Sequence, residues 1–224
     1  MATHLDLQEQ EQVDQLKAFW QQYGNLITWT LILALGGFAA WNGWNIWQRD
    51  QAEKASAMFE ELDRAAQAAD AERSLRIFAD LKERYPRTLY AQQGALLAAK
   101  VQADKGQTDA ALATLAWAAE YAGEDELRTV ARLRAAGLML DKKQYDAALA
   151  QLDAAAQGKS AKEFAALVAD RRADVLLAQG KKDDARKAFE TAHMALDEKL
   201  EYRRLVEAKL TALGAAPAAS GAAK

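Results

Sequence analysis

No cysteine occurs in this sequence, which excludes disulfides, thiolate metal sites, cysteine nucleophiles and a lipid-modified N-terminal cysteine. Histidine is nearly as scarce. His4 and His193 are the whole supply, too few for most imidazole metal sites, so neither a metal nor another cofactor is expected. Glycine-rich phosphate loops, His-Glu-x-x-His and Gly-x-Ser-x-Gly are missing, and Ser56, Ser74 and Ser160 have no histidine near them in sequence. No catalytic residue is nominated, and the chain reads as a binding protein rather than an enzyme. Only Pro86 and Pro217 interrupt a chain rich in Ala, Leu, Gln, Glu, Lys and Arg, the strong helix formers. The alternation of Val, Ile, Thr and aromatics that marks strands is also absent, so an all-α fold is expected. A formal net charge of −3 supplies no basic field for nucleic acid. The run Arg128, Arg132, Arg134 follows Glu124, Asp125 and Glu126 and reads as solvated surface, the alternative being a site for an acidic partner.

One more absence is local. Between Lys17 and Arg49 no side chain carries a charge. The run from Leu26 to Trp47 is long enough to match the roughly 30 Å hydrocarbon core of a bilayer. A cleaved secretory signal has a shorter apolar stretch of about 7–15 residues behind a basic segment. Here Asp6, Glu9, Glu11 and Asp14 precede it against Lys17 alone. The reading is an uncleaved single-pass anchor at residues 25–48, preceded by an N-terminal segment at 1–24. Trp20 and Tyr23 frame one end, and Trp41, Trp44 and Trp47 the other. Tyr23 to Trp44 spans about 31 Å as helix, which puts the two groups near the two interfaces. Gly36, Ala40 and Gly43 form a small-residue seam along which another membrane helix could approach. Ordinary tolerance of Gly and Ala in lipid accounts for the same residues. Before the span, Val13, Leu16, Trp20 and Tyr23 repeat at helical spacing. That suits a short amphipathic surface helix or simply the start of the membrane helix.

Beyond Arg49 the sequence repeats. Ala111, Ala148 and Ala185 are spaced by 37 residues, as are Leu115, Leu152 and Phe189, and Ala118, Ala155 and Ala192. Ala99, Ala136 and Ala173 keep the same register, and Ser74, Phe78 and Leu81 add a further copy. The pattern predicts helical hairpins in which small residues let paired backbones approach, while the larger residue four positions on fills the gap. Turns are expected at Lys105-Gly106-Gln107, Lys142-Lys143-Gln144 and Gln179-Gly180-Lys181. Asp109, Asp146 and Asp183 then fall in the turn or the first turn of each second helix, a favourable place for a carboxylate. One hairpin cannot bury its own apolar face, so the hairpins must stack into a solenoid over residues 49–213. Leu196 to Leu213 is its terminal cap. Residues 1–8, which lack an apolar period, and the Ala-rich tail at 214–224 are expected to be disordered.

These residues resemble tetratricopeptide repeats, whose second helix carries Ala-x3-Phe and later Pro. Ala185 with Phe189 matches literally, and Ser74, Phe78 and Pro86 match with one conservative change. The first-helix Trp, Leu-Gly and Tyr are absent, and the period is longer than the usual 34. Glu11 to Asn25, a single span, then Trp41 to Leu62 and degenerate repeats resemble the ancillary SecYEG translocon subunit family. The resemblance covers the chain except its tail. It implies a bacterial inner-membrane protein with a cytoplasmic N-terminus and a periplasmic repeat domain. It further implies association with Sec translocon subunits and with a membrane-anchored periplasmic chaperone of the prolyl-isomerase type, in aid of newly exported, unfolded proteins. The first helices of tetratricopeptide arrays line the concave surface. Carried across at the 37-residue period, that face takes Phe59, Leu96, Leu133 and Asp170 in one row and Val130 and Leu167 in another. Lys100, Gly137 and Asp174 form a third, and Ala103, Leu140 and Leu177 a fourth. The candidate protein-binding residues are therefore Phe59, Leu96, Val130, Leu133, Leu140, Leu167 and Leu177. An apolar groove suits an extended hydrophobic segment, unless the terminal helix fills it.

Three functions fit these features: an adaptor or chaperone-like subunit at the export channel, a membrane-tethered scaffold for another envelope assembly, and a cytosol-facing receptor for targeting peptides. Lys17 and the amino terminus oppose Arg49 and Lys54, so the positive-inside rule is neutral or slightly favours the receptor. The family resemblance favours the adaptor.

Overall fold

The computed structural model describes residues 7–214. The tail at 215–224 and residues 1–6 lie outside the described residues, whereas Leu7 and Gln8, expected to be disordered, already belong to the first helix. Among the described residues every regular element is a helix, in keeping with the shortage of strand formers.

The chain divides into two compact units, residues 1–51 and 52–224. The first consists of the greater part of α1 (Leu7–Gln67), a continuous helix of 61 residues. No break separates Val13–Tyr23 from the apolar run, so a separate amphipathic helix is not formed. Its apolar side chains face outward: Leu33 is 73% exposed, and Trp29, Phe38 and Trp41 are exposed with it. α1 is long and apolar enough to cross a membrane by length and composition. Thr30 Oγ1 donates to the Leu26 carbonyl one turn back at 2.8 Å, so the hydroxyl is satisfied inside the helix. A Cβ built at Gly36 or Gly43 meets nothing within 4 Å.

The second unit is a stack of hairpins. The end of α1 pairs with α2 (Ala71–Arg84), α3 (Leu89–Asp104) with α4 (Thr108–Tyr121), α5 (Asp125–Asp141) with α6 (Tyr145–Ala156), and α7 (Ala165–Ala178) with α8 (Lys182–Ala195). α9 (Glu201–Ala212) closes the array. The repeated small residues are the close contacts: Ala99, Ala111, Ala136, Ala148, Ala173 and Ala185 are all buried. Phe78, Leu115, Leu152 and Phe189 fill the spaces between them, as the larger residue at i+4 should on one helix face. Leu62 and Leu210 extend the Ala99 series by one period at each end, and both are buried. α9 therefore continues the array as a fifth first helix whose Val206 and Leu210 pack with Ala173, Phe189 and Ala192. The stretch expected as one terminal helix from Leu196 is shorter, because Leu196–Leu200 turns before α9 begins.

All four hairpin turns share one geometry. Ala69, Gly106, Lys143 and Gly180 have positive φ, at 57°, 75°, 59° and 80°. In each, the next amide reaches back to the carbonyl five residues earlier, as Gln107 N to Gln102 O at 2.8 Å and Lys181 N to Leu176 O at 2.9 Å. This closes the preceding helix with its left-handed residue at the customary position. Glycine occupies only two of the four places, so Ala69 and Lys143 hold a conformation that disfavours a Cβ. Asp109, Asp146 and Asp183 all lie in first turns, where the helix dipole favours them. Two also tie neighbouring repeats: Asp109 pairs with Lys142, and Asp146 accepts from Gln179 Nε2 at 3.5 Å.

A second repeated tie is buried. Gln92 Oε1 accepts from Gly123 N at 3.1 Å, and Thr129 Oγ1 meets Ser160 Oγ at 2.9 Å. Each joins a first helix to the loop entering the next hairpin, one period apart. Asp125 adds a carboxylate that accepts from the Ser160 amide at 2.8 Å and its hydroxyl at 3.1 Å. These donors hold the Asp125 carboxyl below its ordinary range. A Cβ on Gly158 would stand 2.6 Å from that carboxylate, which is why this loop takes a glycine there.

Candidate functional site

The inner face of the second unit carries a groove of about 640 Å³ between α3, α5 and α7, with Tyr202 of α9 contributing at one side. Three of the expected residues meet there: Val130 and Leu133 on α5, and Leu167 on α7. Lys100, Ala103 and Gly137, which fell in the same rows, line it with them. The other four stand elsewhere. Leu96 is only 8% exposed and belongs to the core. Phe59 packs beside that core, its ring 6.0 Å from Tyr90. Leu140 packs against the Leu152–Val168 cluster, and Leu177 is part-exposed without lining the groove. The groove runs obliquely across the repeats. It takes the C-terminal half of α3 at Ala99, Lys100 and Ala103, α5 from Val130 to Asp141, and the N-terminal half of α7 at Leu167 and Arg171. Equivalent positions in successive repeats therefore do not all reach it.

The groove is less apolar than the sequence rows imply. Arg134 and Arg171 line it together with Lys100, and Asp141 is its one carboxylate. Arg134 and Arg171 are not in those rows, but helical spacing signals them: Arg134 is one turn past Val130, and Arg171 one turn past Leu167. The Arg171 guanidinium lies over Gly137, with Cζ 3.9 Å from where a Cβ would sit. Arg134 Nη1 donates to the Leu96 carbonyl at 3.0 Å. Arg128 and Arg132, expected as solvated surface, are part-buried and tied down by hydrogen bonds, whereas Arg134 is exposed as expected. Arg128 Nε closes onto the Ala122 carbonyl at 2.6 Å, and Arg132 Nη1 onto Ala154 at 3.1 Å. Both satisfy carbonyls at helix ends that have no intrahelical partner.

Beside the groove, Asp170 occupies the place that Leu96 and Leu133 hold in earlier repeats. It is 2% exposed. Tyr202 donates its hydroxyl to Asp170 at 2.7 Å, and Lys209 Nζ lies 2.9 Å from both Asp170 and Asp174. The same ammonium sits 5.1 Å from the Phe189 ring centroid. Burial, then the Asp170 hydrogen bond, raises the Tyr202 pKa, so the phenol remains a donor across the physiological range. This cluster docks α9 on α7. On the other side of α9, His193 stands 3.0 Å from Glu207 and 3.1 Å from Arg203 Nε. His193 is largely buried packing between α8 and α9. The His193 contact holds the Glu207 carboxyl below its usual range, with Arg203 adding to it. Among the described residues no group of three His, Cys, Asp or Glu could hold a metal ion.

Comparison with known proteins places this architecture. The tetratricopeptide repeat-like domain model matches residues 17–215. The chain is 29% identical over 128 residues to an ancillary SecYEG translocon subunit of Haemophilus influenzae, covering 57% of this chain. It is 29% identical over 118 residues to an ancillary SecYEG translocon subunit of Neisseria gonorrhoeae, covering 52% of this chain. The chain spans 62% and 56% of the length of these two relatives. No solved structure matches it. Stacked hairpins, a shared 37-residue register and a model match over most of the chain lead to one statement: the chain belongs to the tetratricopeptide repeat-like domain family.

Proposed function

We propose that this protein is a membrane-anchored adaptor associated with the Sec translocon, which holds segments of other polypeptides in its repeat groove. The observation that carries the reading is its similarity over more than half its length to two ancillary SecYEG translocon subunits. The exposed apolar stretch of α1 supports it, because so long an uncharged run is stable in lipid rather than in water. In this reading residues 25–48 cross the bacterial inner membrane with the N-terminus in the cytoplasm. The repeats then act in the periplasm on newly exported proteins, beside a membrane-anchored prolyl-isomerase-type chaperone. Val130, Leu133 and Leu167 receive apolar side chains of an extended client. Gly36, Ala40 and Gly43 are the place for a partner membrane helix, since small residues admit close backbone approach.

The test is recovery of channel subunits. A tagged full-length chain, extracted in mild detergent, should bring SecY and SecE with it, and their absence would sink the reading. Topology is tested separately. In intact spheroplasts an impermeant maleimide should label Ala219→Cys but not Ala2→Cys, without background from a chain that has no cysteine. The charge flanking the span gives the cytosol-facing receptor its one supporting observation, and the reverse labelling would select it. Leu133→Asp with Leu167→Asp should keep the helical circular dichroism but lose crosslinking to a nascent exported chain.

A further inference from the structure

Resting on the groove-binding reading above, we propose that the groove selects acidic-apolar polypeptide segments, in which carboxylates flank the apolar side chains. Val130, Leu133 and Leu167 supply an apolar floor, and Arg134, Arg171 and Lys100 stand on the same lining. These cations are poorly neutralised. Among the described residues no carboxylate lies within ion-pair distance of Arg134, whose one contact is the neutral Leu96 carbonyl. Arg171 is 3.9 Å from Asp174, but that carboxylate is already engaged by Lys209 at 2.9 Å. Lys100 pairs with Asp104 at 2.6 Å in an exposed contact, of the kind that water and salt weaken. Asp141 alone opposes them within the lining.

The geometry favours carboxylates in particular places. A guanidinium presents a planar fork that matches a carboxylate in two parallel hydrogen bonds. Arg171 Cζ and Nη1 come within 3.9 Å of where a Cβ on Gly137 would sit, so the absence of a side chain there leaves room for the guanidinium in the groove. Arg134 is one helical turn from Val130, and Arg171 one turn from Leu167. A bound chain with an apolar residue beside each of these therefore brings its neighbouring side chains to the two guanidinium groups. Basic segments meet like charge at both, and complementarity of this kind discriminates between partners more than it adds raw affinity.

Short fluorescein-labelled peptides with the same Leu and Ala positions, and with Asp, Asn or Lys at all others, are titrated against the full-length protein in detergent micelles. Anisotropy should give the Asp peptide about tenfold tighter binding than the Asn peptide, with the Lys peptide weakest, and added salt should narrow the gap. Arg134→Gln with Arg171→Gln, checked for fold by circular dichroism, should abolish the preference for the Asp peptide over the Asn peptide. Gly137→Leu, which fills the groove and displaces Arg171, should weaken all three. Equal binding of Asp and Asn peptides, tightest binding of the Lys peptide, or a preference that survives the double Arg variant overturns the proposal. In those cases an Asn peptide still sensitive to Gly137→Leu leaves the apolar groove standing. If no peptide binds, proposal and groove reading fall together, and recovery of SecY still decides the translocon association.

Discussion

The middle of the solenoid and its C-terminal end solve the same packing problem differently. In α3 and α5 the inward row carries Leu96 and Leu133, and neighbouring first helices stack on apolar surface. In α7 the same row carries Asp170, buried and bound to Tyr202 and Lys209 of α9. Apolar contacts between middle repeats are non-directional, and the covalent hairpins on either side already set the register. Among the described residues no second helix pairs with α9 as α8 pairs with α7, and a directional cluster sets where it docks. A buried ion pair is a poor source of net stability but a strong penalty when half removed.

Cutting that cluster should therefore have the largest effect. Asp170→Ala leaves the Tyr202 hydroxyl without its acceptor and takes from Lys209 one of its two carboxylates, and should lower the urea unfolding free energy by about 2–3 kcal/mol. Leu133→Ala, in the equivalent place on α5, should cost about 1–2 kcal/mol because the leucine is only half-buried. Asp170→Leu combined with Lys209→Met should recover most of the loss. If the single Asp170 change costs no more than Leu133→Ala, the two ends do not differ as described.

Next in size are the buried ties of the middle repeats. Gln92→Ala leaves the Gly123 amide without its acceptor and should cost about 1–2 kcal/mol. The effect should show as faster hydrogen exchange at the α4–α5 loop and no change around α9. The turns give a smaller contrast of opposite sign. Lys143→Gly relieves a left-handed residue and should stabilise by about 0.5–1 kcal/mol, whereas Gly180→Ala should destabilise by a similar amount. Equal midpoints for these two variants would remove the shared turn geometry.

The smallest effect is in pH dependence. Glu207 and Asp125 both have folded pKa values held below their ordinary ones. The unfolded chain thus binds protons more readily, and this stabilisation is complete above the ordinary carboxylate range. It is lost as pH falls through that range and then through the lower folded values. Glu207→Gln should be less stable than the parent at neutral pH, and the gap should close as the solution is acidified. A gap that widens in acid would reverse the assigned sign.

Much of this was legible in the chain. The hairpin turns fall where the Gly106, Lys143 and Gly180 triplets put them, because a left-handed residue must end each first helix. The buried alanines and the Phe78–Leu115–Leu152–Phe189 series follow directly from period and side-chain size. The groove was legible by half. Val130, Leu133 and Leu167 line it, but carrying whole rows across repeats treated equivalent positions as alike, whereas the groove crosses the repeats obliquely, Leu96 enters the core and Phe59 packs against Tyr90.

By itself the sequence determined the all-helical class, the one uncharged apolar stretch, the repeat length and the turns, since all of these rest on interactions within a few residues or one helical turn. Only the tertiary structure decided that Arg134 and Arg171 share a groove, that Arg128 and Arg132 close helix ends, and that Asp170 anchors α9. Each depends on which groups of neighbouring helices meet. A long side chain such as arginine or lysine reaches water, a carbonyl or a carboxylate equally well until packing leaves it one of them.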